Sequence, residues 1–403
     1  MTPGVHLAVA LDGAGWHPAA WREPGARPGE LYRAGYWVDV VRQAEEGGLD
    51  FVTFEDSFRV ATSRRGDPEQ RVDRVRGRLD ASLVAARVAP RTSSIGLVPV
   101  VNTTHSEPFH VSKSIATLDW VSVGRAGLQA RVSATAAEAR QFGRRQIGEE
   151  GGEPVTELFT EAADFVEVLR RLWDSWEDDA EIRDVATGRF VDRDKLHYVD
   201  FEGPWFSVKG PSITPRPPQG QPVVTVLGHV PVAFELAARG ADVVFVTPKD
   251  AADARSLLVT LRRTEVGVDR WGEPLRVFAD LTVFLDEDPA RAQARKDRLD
   301  ALDGRVFTSD AHVFVGSPGA LAELIAEWSA EGIDGFRLRP GVVAQDLGAI
   351  AGDLTRALRE RGLLPDAPRG ATLRERLGLT RPPNRFASAP AVHAAGPSRG
   401  APA

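Results

Sequence analysis

Short apolar runs alternate along this chain with longer segments in which apolar residues recur every three to four positions. The first pattern is typical of buried β-strands and the second of amphipathic α-helices. The clearest example spans residues 95–133, where a strand-like run ends at the polar cluster 102–105. A helix follows with Ser106 as its predicted N-cap, and a second strand-like run occupies 126–132. This arrangement predicts a βαβ unit of a parallel sheet.

Eight strand-like runs follow this scheme, each but the last preceding a predicted helix. The predicted strands are residues 5–11, 49–54, 95–101, 126–132, 223–227, 242–247, 275–285 and 335–338. Besides the helix of the βαβ unit, the predicted helices are residues 36–48, 81–89, 157–176, 231–239, 251–266, 289–302 and 318–331. The count fits an α/β fold of the (β/α)8 TIM barrel type, whose active site lies among the loops that follow the strands. A doubly wound open sheet is the alternative arrangement.

The remaining segments predict the domain organisation. Residues 1–365 form a single barrel domain, interrupted at about 178–219 by a turn-rich insertion that predicts a β-hairpin excursion. Residues 366–386 are interpreted as a C-terminal helical extension packed on the barrel, and the Pro- and Ala-rich residues 387–403 as a disordered tail. The arginine-rich segment 59–78 has no apolar periodicity and predicts an exposed, mobile connection.

Composition narrows the class of protein. The net charge of −7, with no basic block, argues against a nucleic-acid partner. The sequence contains no run of 18 apolar residues, so no membrane-spanning helix is expected. The amino terminus lacks a basic leader, so a cytoplasmic protein is expected. There are no cysteines, which excludes disulfides, thiol catalysis and cysteine-ligated metals, and the eight histidines show no metal-ligand spacing.

Several polar residues follow predicted strands and would share the rim of a barrel. They are His17, Glu55, Asp56, the cluster 102–105 with Thr103, Arg131, Ser133, Gly228 and His229. For His17, Asp56 and Thr103, a loop or capping role is as plausible as ligand contact. Arg131 stands inside a strand, where a charge is costly unless it is paired or reaches an anionic ligand. His229 opens a helix whose first amides favour a phosphate, with a surface cap as the alternative.

Five stretches together resemble the luciferase-like flavin monooxygenases, in particular the branch that contains the nitrilotriacetate and dibenzothiophene-sulfone monooxygenases. They are HPAAWREP from His17, NTTHSEPFHVSKSIATLDWVSVGRAG from Asn102, EVLRRLWDSWEDDA from Glu167, FEGPWFSVKGPSITPRPPQGQPVV from Phe201 and ATLRERLGLTRPPNRF from Ala371. The resemblance implies a TIM barrel that uses O2 and reduced FMN from a separate flavin reductase to oxygenate a small organic substrate, through a peroxide at the flavin C4a carbon. It also implies a homodimer or homotetramer.

The resemblance carries residue roles onto this chain. Asp56 and Thr103 fall on flavin-contact positions, and His17 is expected near the substrate as a catalytic residue. The family's His and Tyr that hold the FMN phosphate are here Val155 and Phe159, and its Gly-Ser-Ser phosphate turn is 228–230, Gly-His-Val.

The altered turn and one strand residue define the expected phosphate site. Gly228, His229 and Val230 keep the position of the turn, but the Val230 side chain cannot donate a hydrogen bond. Arg131 and His229 are therefore the predicted phosphate donors. Two other readings stay open: a deazaflavin-dependent oxidoreductase on the same barrel, and a non-catalytic flavin-binding barrel.

Overall fold

Eight parallel strands close into a barrel in the computed structural model, which describes residues 4–60, 71–148, 152–268, 270, 272–365 and 371–387. The described residues form thirteen strands, of which five lie outside the barrel. In chain order they are β1 (His6–Leu11), β2 (Phe51–Phe54), β3 (Gly96–Asn102), β4 (Gly127–Arg131), β5 (Glu181–Asp184), β6 (Arg189–Val191), β7 (Phe201–Glu202), β8 (Ser207–Val208), β9 (Val223–Leu227), β10 (Val243–Val246), β11 (Arg276–Leu285), β12 (His312–Gly316) and β13 (Gly335–Pro340). The barrel order is β10-β9-β4-β3-β2-β1-β13-β11, and a pairing of β10 with β11 closes it. That closure confirms the TIM barrel and shows that the open-sheet alternative is wrong.

Most of the helices surround the barrel, with their apolar faces packed on the outward side chains of the strands, and the last helix lies at the amino-terminal end of the barrel. They are α1 (Ala34–Glu46), α2 (Ala81–Val88), α3 (Pro108–Ser122), α4 (Ala136–Phe142), α5 (Val155–Asp174), α6 (Pro231–Gly240), α7 (Ala251–Gly267), α8 (Pro289–Asp303), α9 (Pro318–Ala330), α10 (Thr355–Glu360) and α11 (Leu373–Arg376). None of the described helices combines the length and apolar character that a bilayer crossing needs.

Two local predictions are wrong. Ser106 is not the N-cap of α3: the helix begins at Pro108 after Glu107, and no side chain caps it. Proline at the first position fixes the helical φ angle and has no N–H to satisfy, so the cap is dispensable. The predicted strands also omit β12, the short apolar run HVFVG, which pairs with Leu281–Leu285 near the carboxyl end of β11.

The amino-terminal end of the barrel is closed by the chain's own C-terminal segment. Leu373, Leu377 and Leu379 are buried against a layer of inward-facing side chains that includes Phe51 and Phe278. The start of α11 is held by a capping box and by the amide of Leu373, which donates to the Gly124 carbonyl at 2.9 Å. This apolar plug leaves only the opposite end of the barrel open to a ligand.

Two other irregular regions are the predicted insertion, which is described throughout, and the arginine-rich segment, which is described in part. In the predicted insertion 178–219, β5 pairs with β6 and β7 with β8, giving two small antiparallel hairpins rather than one. Of the arginine-rich segment, residues 61–70 lie outside the described residues, as do 366–370 and 388–403 of the predicted extension and tail.

The described part of the arginine-rich segment is not the free connection that was predicted. Arg74 contacts the Asp303 carboxylate through Nη2 at 2.8 Å, and Arg78 contacts both oxygens of Asp12 at 2.6 Å. The prediction of an exposed segment was wrong for these residues. The carboxylates that pair with these arginines come from distant parts of the chain, so the local composition could not indicate them.

Candidate active site at the barrel mouth

The half of the barrel nearer the carboxyl ends of its strands, here called the upper half, contains buried charged side chains. The opening at that end is the barrel mouth. Arg337 in β13 donates to both oxygens of Asp280 in β11, at 2.7 and 2.5 Å, and across the lumen to Oε1 of Gln129 at 2.5 Å. Its guanidinium lies 3.7 Å from the ring centre of Phe245. Burial opposes the charge on Asp280, but Arg337 and Arg339 outweigh it and hold the pKa of this carboxyl below its usual range.

Arg339 carries this network out to the mouth. Its guanidinium donates to Asp280 and, at 2.6 Å, to Oδ1 of Asp310, and it lies 4.6 Å from the ring centre of Trp16. The other Asp310 oxygen is 3.0 Å from Nε2 of His229. The sequence analysis missed these ions, although Arg337 stands inside a predicted strand, as Arg131 does. Arg339 lies one residue beyond the predicted strand, which the structure extends to Pro340.

Three of the predicted cofactor residues are brought together at the ends of β2, β3 and β4. Arg131 donates through Nη1 to the Asp56 carbonyl at 2.5 Å, and the Thr103 hydroxyl donates to the Arg131 carbonyl at 3.1 Å. The Asp56 carboxylate accepts from the amides of Ser57 at 2.7 Å and Ala81 at 2.9 Å. Burial raises the pKa of Asp56. All three residues therefore hold the strand ends together, and the two amide contacts of Asp56 are those of a turn cap.

A buried glutamate that the sequence did not single out braces the same edge. Glu138 accepts from the Ser57 hydroxyl at 2.6 Å, from the Ser133 hydroxyl and from the Phe58 amide at 3.2 Å. Burial opposes its charge, but the hydrogen bonds from Ser133 and Ser57 outweigh it and lower the pKa of Glu138. This contact links the loops after β2 and β4.

Two polar atoms beside this edge have no partner among the described residues. They are Nδ2 of Asn102, the last residue of β3, and Nε2 of His105. The side-chain oxygen Oδ1 of Asn102 accepts from the amides of Thr104 and His105, so the side-chain NH2 group is the part of this residue that lacks a partner among the described residues. A buried donor without a partner is costly, which marks this point as one where a ligand acceptor would be stabilised.

His17 lies away from this edge and is fully buried. Its Nδ1 accepts from the Ala19 amide at 3.1 Å, so Nε2 carries the ring hydrogen and donates to Asp300 at 3.1 Å. Burial lowers the pKa of His17. With both ring nitrogens occupied by the protein, the neutral ring has no free nitrogen to act as a base.

The predicted phosphate turn lies at the start of α6. The Gly228 amide donates to the Phe245 carbonyl at 2.8 Å, and Val230 occupies the N-cap position without a side-chain cap. His229 contacts Thr247 and Asp310. Arg131 and His229 stand at the carboxyl ends of the neighbouring strands β4 and β9, whose paired residues include Ala130 and Val226.

A cavity of about 260 Å³ opens beside the mouth, between the loops after β1 and β2 and the segment that follows α8. Its lining includes His17 and the aromatic residues Trp16, Trp21, Tyr32, Trp37 and Phe307. Asp12 and Glu55, which follow β1 and β2, also line it. The described residues contain no group of three or more histidines and carboxylates placed to hold a metal ion.

Comparison with known proteins assigns this architecture. The family model described as luciferase-like monooxygenase matches residues 16–335. The chain is 29% identical to N-acetyl-S-(2-succino)cysteine monooxygenase of Bacillus subtilis (strain 168) and 29% identical to nitrilotriacetate monooxygenase component A of Aminobacter aminovorans. Each alignment covers 95% of this chain and 98% of the relative.

A solved structure of riboflavin lyase with modified FMN and riboflavin superposes with a TM-score of 0.81 at 23% identity, covering 94% of this chain and 97% of that one. Together with the nitrilotriacetate relative, the family match confirms the resemblance and the predicted branch. The expected enzyme class, a flavin-dependent monooxygenase acting on a small molecule, is confirmed as well. This chain belongs to the luciferase-like monooxygenase family.

Proposed function

We propose that this chain is the oxygenating component of a two-component system that receives reduced FMN from a separate reductase and transfers one atom of O2 to a small organic substrate. The observation that carries the proposal is the alignment over 95% of the chain with a protein named as component A of such a monooxygenase. Reduced flavin, when bound, supplies the two electrons that activate O2, and the second oxygen atom leaves as water.

The mouth offers groups that fit a flavin ring. The NH2 group of Asn102 is a buried donor that lacks a partner among the described residues, and flavin presents ring carbonyls as acceptors. Thr103 and Asp56 hold the adjacent strand ends in place, so their role towards the ring is to position Asn102 and the β2 loop. Tryptophans beside the mouth limit the access of water to the reacting atoms.

Arg131 and the start of α6 would hold the phosphate. Only Nη1 of the Arg131 guanidinium is used within the described chain, so the other nitrogens are available for charge-assisted hydrogen bonds. The start of α6, with Gly228 and Val230, has no side-chain cap and presents positive helix-end charge. Both ring nitrogens of His229 already have partners, Thr247 and Asp310, so we assign the phosphate to Arg131 and the α6 amides rather than to His229.

We assign His17 a positioning role. Its two hydrogen bonds tie the segment that lines the cavity to α8, through Asp300, which also accepts from Lys296 at 2.7 Å. The ring therefore shapes the cavity wall beside the substrate and transfers no proton.

The experiment that tests the function pairs the purified chain with an NADH-dependent flavin reductase. We expect tight anaerobic binding of reduced FMN, and suppression of the hydrogen peroxide that reduced FMN otherwise releases in air. Binding of a reduced deazaflavin in preference to reduced FMN would favour the hydride-transfer reading. Flavin binding without any change in peroxide release would favour the non-catalytic barrel.

The phosphate assignment has its own test. We expect Arg131→Ala to weaken FMN more than riboflavin, with a difference of about 1.5–3 kcal/mol, the scale of a hydrogen bond to a charged group. The matched control is Arg87→Ala on the exposed face of α2. An equal loss for both ligands would show that Arg131 does not contact the phosphate.

The oligomeric state and the cellular location are two further parts of the proposal. A homodimer or homotetramer is expected, and light scattering on a size-exclusion column measures it directly. A cytoplasmic location agrees with the absence of cysteine, and fractionation of cells expressing the chain tests it.

A further inference from the structure

The cavity beside the mouth is lined by both aromatic rings and charged side chains. Trp16, Trp21 and Trp37 line it, and each indole N–H donates to a backbone carbonyl, of Ala10, Asp73 and Leu31 respectively. These rings therefore offer a ligand their carbon surface and not a hydrogen bond. The volume of about 260 Å³ is slightly below the range of typical small-ligand sites, which begins at about 300 Å³, so only a small ligand fits.

The cationic side chains of this cavity are already neutralised. Arg78 contacts both oxygens of Asp12 at 2.6 Å, and Arg74 contacts the Asp303 carboxylate at 2.8 and 2.9 Å. Arg305, the remaining arginine of the lining, has interactions as well. A substrate carboxylate would have to displace one of these partners, which disfavours polyanionic substrates here.

Glu55 differs from every other charged group in the lining. Its amide belongs to the sheet, donating to the Leu11 carbonyl at 3.1 Å, but its carboxylate has no hydrogen bond or ion pair with any described residue. It lies within electrostatic range of Arg78 and Arg339. Both of these arginines have closer carboxylates of their own, so Glu55 is not needed to compensate them.

We infer that this cavity is the substrate site and that Glu55 selects a substrate with a protonated amine on an apolar body of aromatic size. An ammonium group beside Glu55 gains a charge-assisted hydrogen bond, and the tryptophan faces favour both the apolar body and a nearby cation. The inference rests on the proposed function, because it names the substrate class of that monooxygenase. It differs from the acidic substrate in the name of the nitrilotriacetate relative.

Binding of three probes to the full chain by ligand-observed NMR tests the inference. The probes are 2-phenylethylamine, 2-phenylethanol and 3-phenylpropanoate, which share a ring and differ in charge. We expect the amine to bind about tenfold more tightly than the alcohol, and the carboxylate least. In Glu55→Gln the preference for the amine should fall to near unity while alcohol binding is retained. The control is Glu327→Gln, an exposed glutamate on α9.

The outcomes separate this inference from the proposed function. Equal affinity of wild type for the amine and the alcohol, or binding of none of the probes at millimolar concentration, overturns the inference. A loss of FMN affinity in Glu55→Gln with the amine preference intact also overturns it, because Glu55 would then belong to the flavin site. Amine selectivity in a chain that fails to bind reduced FMN would remove the proposed function alone. Melting temperatures of both variants establish that they are folded.

Discussion

The two ends of the barrel lumen differ in the side chains that fill them: one end is apolar and the other is ionic. At the amino-terminal end, leucines of the C-terminal segment pack on phenylalanines, and burial of carbon surface stabilises the fold directly. In the upper half, Arg337, Arg339 and Asp280 are buried together, so the cost of desolvating ions offsets much of their attraction. An ionic core is a poor route to stability alone, and here it lies directly beneath the mouth where chemistry is expected. Stability and function are thus assigned to different ends of one barrel.

The largest effect is expected from breaking the ionic end. Asp280→Ala leaves two buried arginines without their shared partner, and we expect a loss of about 4 kcal/mol in the free energy of unfolding. Urea denaturation measures it. Asp310→Ala, at a side chain that is 47% exposed, should cost less than half as much. If Asp280→Ala costs under about 1 kcal/mol, the ions are not coupled as described.

Breaking the apolar end should cost slightly less and spare the site. Leu373→Ala removes a fully buried side chain from the plug, for an expected loss of about 3 kcal/mol. Binding of reduced FMN should not change, since the plug lies at the opposite end of the lumen. The control is Leu302→Ala on the exposed side of α8, with an expected change within about 0.5 kcal/mol. A parallel loss of flavin affinity would mean that the two ends are not independent.

Substitution of Asp56 distinguishes a structural role from direct contact with the cofactor. Its two carboxylate oxygens accept backbone amides, so Asp56→Ala should cost about 1–2 kcal/mol of stability, as for loss of a cap. Flavin affinity should fall little. A large loss of affinity with unchanged stability would return Asp56 to the direct cofactor contact that the resemblance implies.

The smallest effect is a difference in pH dependence. The pKa of Asp280 and that of Asp310 are lowered in the folded chain, so the stability they contribute is present above their unfolded values and is lost as pH falls below about 4. Leu373→Ala should lower stability equally at pH 7 and at about pH 3. Asp280→Ala should lower it more at pH 7, because this variant no longer loses the Asp280 contribution in acid. Parallel curves for the two variants would contradict the assignment of acid sensitivity to the upper barrel.

Some residues of the barrel mouth could be predicted from the sequence pattern and others could not. Asp56, Thr103 and Arg131 were placed at strand ends from the sequence, and the structure brings them into contact. The argument that a charge inside a strand needs a partner applied equally to Arg337, which was overlooked because no ligand motif contains it. Arg339 lay beyond the predicted strand and joins it only in the structure. Glu138 carried no such signal, since it belongs to a short helix and meets Ser57 only through the fold.

The sequence alone determined the class of fold and the family, because apolar periodicity and a series of motifs in order are local properties of the chain. It also located the strand ends to within a residue or two, since each predicted strand is an apolar run bounded by polar residues. Only the tertiary structure decided which charges are paired and which are left over. The difference between Arg78, paired with Asp12, and Glu55, unpaired among the described residues, depends on distances between segments far apart in the chain. Such pairings arise from barrel closure, which no local pattern encodes.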